Sequence, residues 1–138
     1  QVSFVSGFGP ITISVAESLR FEQEALGAAE ELAPGYFHSE RIPGAKAFAI
    51  WPLAQAAQSV FGAADWPDDV PVPQAWVELD VHGQDVAAAV QELAGQGWLV
   101  LRGADEQPWG QTTSRLLSPE GLLVGIAFTP WMHPDAER

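Results

Sequence analysis

The strongest constraint on the fold is the order of elements that residues 77–128 encode. Apolar residues alternate with Trp and acidic residues over 76–81, which is the period of a strand with two different faces. Residues 85–94 place apolar side chains on one helical face, with Asp85 near the start. Three more strands are predicted at residues 98–102, 111–117 and 122–128. The stretch therefore predicts one strand, one helix and three further strands.

The first half of the chain can be divided in the same way. Residues 7–15 predict a strand, because β-branched residues follow an entry rich in Gly and Pro. Ser14 stands where an N-cap is wanted, and residues 16–26 have helical spacing. The remaining elements are two strands at 36–42 and 45–51 around a Pro-Gly turn, and one or two helical turns at 53–61. Direct identity between the halves is slight, so the predicted repeat of a βαβββ unit is architectural.

The length of 138 residues and the apolar content of 47% predict a single domain, residues 1–138. Within it, module one covers about 1–62, a linker about 63–74 and module two about 75–131. Residues 62–73 contain three prolines and three aspartates, which indicates a stiff, directed connection. The tail after residue 130 is polar, and we expect it to be loosely held.

Composition argues against several classes of partner. The 18 acidic residues against 6 basic ones give a formal charge of −12, which repels nucleic acid and anionic membranes and attracts cations. The alternative is that this charge serves solubility alone. The chain has no cysteine, which fits a reducing cytoplasm and excludes thiolate metal sites. No apolar run approaches the roughly 20 residues of a membrane span, and no secretory signal is visible. A cytoplasmic protein is therefore expected.

Short motifs occur in a characteristic order along the chain. Residues 18–21 are Ser-Leu-Arg-Phe and residues 25–27 are Ala-Leu-Gly, while residues 108–110 are Pro-Trp-Gly and residues 118–121 are Ser-Pro-Glu-Gly. Together they resemble the vicinal oxygen chelate superfamily, which includes glyoxalase I, bleomycin-resistance proteins and extradiol dioxygenases. Its first-helix pattern is Ser-x-x-Phe-Tyr-x-x-x-Leu-Gly, and this chain departs from it with Glu22 in place of Tyr.

The resemblance covers about residues 7–131 and implies an α+β fold. Two βαβββ modules would form a cupped mixed sheet with helices on the outer faces, usually in a homodimer. Metal-dependent members carry a His, Glu or Gln ligand on the first and last strand of each module. The equivalent positions in this chain are Gly7, Ala49, Trp76 and Gly125.

None of these four positions can coordinate a metal. Shifting the register by one or two residues adds candidates only on the third of the strands, namely Glu78, Asp80 and His82. A catalytic divalent ion generally needs about three protein ligands. The sequence therefore predicts no metal site and no cofactor.

Tryptophan is the residue type that replaces ligands on the expected cup face. By the period of two, Trp51 and Glu78 share that face with the four positions, while Trp66 and Trp109 are placed at the rim. Flat aromatic walls suit a planar aromatic or cationic ligand. The candidate ligand-binding residues are His38, Ala49, Trp51, Trp66, Trp76, Glu78, Trp109 and Gly125.

A less specific interpretation applies to each of these residues. Tryptophans more often fill cores or interfaces, and we expect this of Trp98 and Trp131 respectively. His38 and His82 are candidates for acid–base chemistry, although histidines at strand ends are more often plain surface residues.

The sequence predicts a metal-free protein of the bleomycin-resistance type. It would sequester an antibiotic-like planar aromatic natural product, with a cationic one favoured by the acidic composition, and so confer resistance or self-protection. One alternative is a metal-dependent lyase, isomerase or dioxygenase, in which His38 or His82 joins Glu78 as ligands. Another is a structural or regulatory homodimer whose cup is filled by its own side chains. Whether the modules pair within one chain or swap between chains stays open.

Overall fold

A computed structural model describes residues 2–28, 30–33, 36–82 and 85–133 of the chain. These residues form an α+β fold with one mixed sheet of eight strands. The strands are β1 (Val2–Thr12), β2 (Glu30–Ala33), β3 (Tyr36–Ser39), β4 (Phe48–Pro52), β5 (Ala75–Val81), β6 (Leu99–Glu106), β7 (Thr112–Leu117) and β8 (Leu123–Phe128). The helices are α1 (Val15–Leu19), α2 (Leu53–Phe61) and α3 (Val86–Gly95), with a π-helical segment (Arg20–Ala25) after α1 and a 3₁₀ turn (Pro130–Met132) after β8.

The two halves of the sheet have the same topology. The strand order is β2-β3-β4-β1-β5-β8-β7-β6, so each module contributes four strands and its first strand lies at the centre. β1 pairs in parallel with β4, as β5 does with β8, and β1 and β5 join the modules in antiparallel register. The prediction of two βαβββ modules is confirmed. In this structure, β1 and β5 of one chain form the junction between the modules.

The outer face of the sheet carries α1 and α3. Val86 and Val90 of α3 pack with Val81, Leu116 and Phe128 into the core of module two. The corresponding core of module one is smaller: Val15 and Leu19 of α1 pack against Phe37 and Ile50. The alternation predicted for residues 76–81 places Val81 on the outer face, as expected.

Helix α2 is different, because it packs on the cup side of the sheet. Its buried residues Ala56 and Val60 contact Leu123, with Trp51 and Trp76 packed around them. The sequence predicted this helix with the bounds that the structure shows, but gave it no place in the cup. None of the described helices is long and apolar enough to cross a membrane.

Several predicted bounds were wrong. The first strand is Val2–Thr12 instead of 7–15, because the residues before Gly7 also pair with β5. The predicted helix at 16–26 leaves α-helical geometry after Leu19. The strands expected at 36–42 and 45–51 shorten to Tyr36–Ser39 and Phe48–Pro52. Strand β2 was missed, since Glu30–Ala33 lacks the β-branched and aromatic residues that mark strands.

Candidate ligand-binding site

A cavity of about 980 Å³ lies on the concave face of the sheet and is lined by residues of both modules. Its size is in the range of pockets that hold drug-sized molecules. Trp51, Trp76, Trp109, Trp131 and Met132 supply most of its large apolar side chains. The cup expected from the sequence is therefore open and not filled by its own side chains.

The indole of Trp76 covers the module-one side of the cavity floor. A Cβ added to Gly7 would lie 2.8 Å from Trp76 Cη2, and one on Gly9 would lie 3.1 Å from Trp76 Nε1. Trp76 Nε1 donates a hydrogen bond of 3.0 Å to the Ala49 carbonyl oxygen, which fixes the ring across β1. Trp51 meets Trp76 edge to face, with ring centroids 6.0 Å apart. We call the Trp76 ring, together with Gly7 and Gly9 on which it lies, the tryptophan floor.

A buried ion pair occupies the module-two side. Arg115 Nη1 lies 3.0 Å from Glu78 Oε2, and both side chains are largely buried. Glu78 also accepts hydrogen bonds from Gln111 Nε2 at 2.6 Å and from Thr113 Oγ1 at 3.1 Å. A Cβ added to Gly125 would lie only 2.8 Å from Arg115 Nη1, so this glycine makes room for the guanidinium. The ion pair thus fills the space above one of the four expected metal-ligand positions.

The residues present do not fit a divalent metal ion. Three of the four expected positions belong to the tryptophan floor or bond to it: Trp76 lies on Gly7 and donates to the Ala49 carbonyl oxygen. The fourth position, Gly125, lies beneath the ion pair. Across the described ranges, no group of three or more His, Cys, Asp or Glu side chains is arranged to hold a metal. His82 lies outside the cavity lining, and Glu78 is already neutralised by a guanidinium.

A second carboxylate lies behind the ion pair and is completely buried. Asp80 accepts hydrogen bonds from Thr129 N at 2.6 Å and from Thr129 Oγ1 at 3.0 Å, and lies 2.8 Å from His133 Nε2. Gln111 Nε2 reaches both Thr129 Oγ1, at 2.9 Å, and Glu78. These contacts form one polar network, whose members in order are Arg115, Glu78, Gln111, Thr129, Asp80 and His133.

The polar network corrects the expectation of a loosely held tail for residues 131–133, while residues 134–138 lie outside the described residues. His133 is fully buried, stacks on Phe128 with ring centroids 4.4 Å apart and is anchored to Asp80. Because Thr129 and His133 are tied to the same carboxylate, the 3₁₀ turn between them is held at the cavity. That turn carries Trp131 and Met132 into the cavity lining.

Most of the predicted site residues line the cavity. They are His38, Ala49, Trp51, Trp76, Glu78 and Trp109. His38 Nε2 lies 3.8 Å from Glu40 Oε2 at the rim. Gly125 is outside this lining because the ion pair covers it.

Trp66 does not line the cavity, contrary to its predicted place at the rim. Its ring packs edge to face on Phe61, 4.9 Å between centroids, and its Nε1 donates to the Val70 carbonyl oxygen at 3.0 Å. Trp66 therefore folds the linker back onto α2. Trp98, expected in the core, is 49% exposed instead.

Sequence reasoning missed Arg115, Gln111 and His133. Alternation along the predicted strand at 111–117 puts Gln111, Thr113 and Arg115 on one face, and this is a signal that was present in the sequence. No comparable signal exists for His133, because its burial depends on a carboxylate far away in the chain.

Fold and site together define a small α+β protein with a cup built by two modules of one chain. No family profile matches the sequence, and no curated protein sequence matches it significantly. Solved structures do match. A glyoxalase/bleomycin resistance protein/dioxygenase superfamily member from Vibrio splendidus superposes with a TM-score of 0.58 at 12% identity, covering 91% of this chain and 100% of that one.

Two other solved structures have the same fold under different names. One is described as an NAD-dependent benzaldehyde dehydrogenase from Legionella pneumophila (TM-score 0.56, 11% identity, 88% of this chain and 96% of that one). Methylmalonyl-CoA epimerase from Streptomyces coelicolor gives 0.51 at 13% identity, with 94% and 99% covered. The chain has the vicinal oxygen chelate fold. The superpositions establish the fold, but at identities this low they do not establish the activity, which has to be argued from the site.

Proposed function

We propose that this protein binds a planar aromatic small molecule in the cup without a metal ion. By sequestering an antibiotic-like compound it would confer resistance or self-protection, with the cytoplasm as the proposed location. One observation carries the proposal: the expected metal-ligand positions are taken up by the tryptophan floor and the Glu78–Arg115 pair, yet an aromatic-walled cavity of about 980 Å³ remains open above them.

The aromatic walls support a stacking ligand. Trp109 and Trp131 line the cavity while being 61% and 52% exposed, so their ring faces are available to a bound molecule. Each stacking contact with such a ring contributes around 1 kcal/mol beyond the area that it buries. Several tryptophans around one cavity would therefore select flat, extended ring systems.

The preference for a cationic ligand has a narrower basis than the sequence suggested. Glu78 was expected to attract a cation, but Arg115 already neutralises it. Asp105 at the cavity is likewise paired, with Arg102 at 2.8 Å. The remaining attraction comes from Glu40 at the rim and from the net charge of −12. A cationic group on the ligand would accordingly lie at the rim, away from the floor.

Tryptophan fluorescence tests the proposal directly. We expect ethidium and related planar aromatic compounds to quench the emission with a saturable dependence on concentration. Trp76→Ala should weaken binding by about fivefold or more, because losing roughly 1 kcal/mol of ring contact has that effect. Trp98→Ala is the matched control, since Trp98 is exposed and outside the cavity lining. Silence across the compound series, or unchanged binding after Trp76→Ala, would contradict the proposal.

Metal analysis separates this function from that of a metal-dependent enzyme. Protein purified without chelators should contain divalent metal far below one equivalent per chain, because the donor set described above does not fit one. A near-stoichiometric metal content would favour the enzymatic alternative.

We further propose that the protein forms a homodimer through the outer face of β1. Val2, Val5 and Phe8 are 48%, 47% and 41% exposed there, although the neighbouring outer face is covered by α3. Light scattering on the eluting protein should give the mass of a dimer. Phe8→Glu should shift it toward the monomer, whereas Phe21→Glu, which changes a more exposed ring (59%) on the π-helical segment, should not.

A further inference from the structure

Arg115 uses only one of its three guanidinium nitrogens to bond the described residues. Nη1 donates to Glu78 Oε2 at 3.0 Å, to Thr113 Oγ1 at 2.8 Å and to the Ser114 carbonyl oxygen at 3.1 Å. Nε is buried and has no hydrogen-bond partner within the described part of the chain. Nη2 makes no hydrogen bond to that part either, and it is not buried. One whole edge of the guanidinium is therefore unpaired, and Nη2 is its accessible part.

An unpaired edge of this kind is unusual in a folded protein. Nearly all buried polar groups have a hydrogen-bond partner, and a buried donor without one is costly. The Nε–H and Nη2–H bonds are nearly parallel, which is the fork that receives a carboxylate or another planar oxygen acceptor. The Arg115 guanidinium lies over the Trp51 ring, with Cζ 5.1 Å from the ring centroid.

We infer that Arg115 anchors the ligand of the cup, and that this ligand carries a planar oxygen acceptor, a carbonyl or a carboxylate, attached to its aromatic ring system. The inference rests on the proposed function and names the chemistry that the floor of the site selects. The acceptor takes a hydrogen bond from the accessible Nη2, while Nε on the same edge is buried. The ring then lies among the tryptophans, and any cationic group points to the acidic rim.

The guanidinium is fixed in advance by the side chains around it. Glu78 holds it through Oε2, while Gln111 and Thr113 hold Glu78. Gly125 beneath leaves space for Nη1, since a Cβ there would lie 2.8 Å from it. A charged donor that is already oriented loses little conformational entropy when it binds, which favours affinity and specificity. Because Glu78 balances the charge, a neutral carbonyl can be accepted as well as a carboxylate.

Three probes of the same shape test the acceptor: naphthoate, naphthamide and methylnaphthalene. We expect calorimetry to show that the wild-type protein binds the better of the two acceptor compounds roughly tenfold or more tightly than methylnaphthalene, as a charged hydrogen bond should contribute. The difference between naphthoate and naphthamide tells which acceptor the site prefers.

The matched variants either remove the guanidinium of Arg115 or leave it in place. Arg115→Met combined with Glu78→Gln deletes both charges, so that no uncompensated buried ion remains, and the preference for the acceptor probes should fall toward onefold. Arg115→Lys retains the charge without the fork and should also lose most of the preference, which covers the case in which the double variant does not fold. Arg20→Met, an exposed arginine on the π-helical segment, should keep it.

The outcomes separate this inference from the proposed function. If the wild-type protein binds all three probes equally, aromatic binding stands and the anchoring role of Arg115 is wrong. If the variants without Arg115 still prefer an acceptor probe over methylnaphthalene, the anchoring role of Arg115 is wrong as well. Binding of none of the probes contradicts both.

Discussion

The two modules repeat one topology but contribute opposite chemistry to the cup. Module one presents small residues on its cup face, among them Gly7, Ala47 and Ala49, and the Trp76 ring lies across them. Module two presents the polar network, beginning with the Glu78–Arg115 pair. The strand order is the same in both halves. A duplicated backbone thus fixes where cup-facing positions lie, while the side chains alone decide what those positions can bind.

The outer faces of the modules differ as well. Helix α3 runs over ten residues and buries Val86 and Val90. In module one, α1 covers five residues and the π-helical segment six, and neither contains a buried residue. Phe21 and Leu26 in this region are 59% and 58% exposed. Module two is therefore the more strongly packed half, and substitutions at equivalent places should reveal the difference.

The largest effect is expected where the polar network enters the core of module two. Asp80→Ala removes the acceptor of Thr129 N, Thr129 Oγ1 and His133 Nε2 together, all in a fully buried setting. Breaking a buried polar pair from one side costs about 3–5 kcal/mol. We expect a loss of this size in the free energy of unfolding, measured by urea denaturation.

Asp105→Ala is the control for this substitution. Asp105 pairs with Arg102 at 2.8 Å, but both side chains are 42% exposed, so its loss should cost less than about 1 kcal/mol. Equal losses for the two aspartates would show that the polar network is not what stabilises this side of the cup.

A smaller effect is expected in the floor of module one. Gly7→Ala would bring a Cβ within 2.8 Å of Trp76 Cη2, and the ring is held from its other end by the Ala49 carbonyl. Such overpacking should lower the free energy of unfolding by about 2 kcal/mol, and displacement of the indole should also shift the tryptophan emission. Thermal unfolding followed by tryptophan fluorescence measures both the stability and the emission.

Gly103→Ala provides the comparison, because a Cβ on that β6 glycine meets nothing within 4 Å. It should change the free energy of unfolding by no more than about 0.5 kcal/mol. If Gly7→Ala were as well tolerated as Gly103→Ala, the tryptophan floor would be loose enough to rearrange around a side chain.

Module two was predicted more accurately than module one for a physical reason. Apolar and polar or aromatic residues alternate along its strand Ala75–Val81, and Asp85 is a recognisable N-cap for its helix. Local sequence and tertiary contacts therefore agree there. In module one, the edge strand Glu30–Ala33 has low strand propensity and is held by pairing with β3. The π-helical segment has a helical sequence pattern, and that pattern does not reveal the change of helix type.

The candidate site was most predictable where a single strand sets the geometry. Trp76 and Glu78 follow from the period of two along β5, and both line the cavity. The strand containing Arg115 has polar residues on both faces, so alternation alone does not tell which face meets the cup. The position of Trp66 depends on the linker folding back onto Phe61, a tertiary contact that no local pattern encodes.

The smallest effect compares the first turns of the two equivalent helices. Asp85 caps α3, because its side chain accepts a hydrogen bond of 2.9 Å from Ala88 N. Ser14 occupies the same place before α1 but makes no side-chain cap. Asp85→Ala should therefore lower the free energy of unfolding by about 1 kcal/mol, whereas Ser14→Ala should leave it nearly unchanged. Chemical denaturation of both variants measures the difference, and a Ser14→Ala loss equal to that of Asp85→Ala would show that module one caps its helix as firmly as module two.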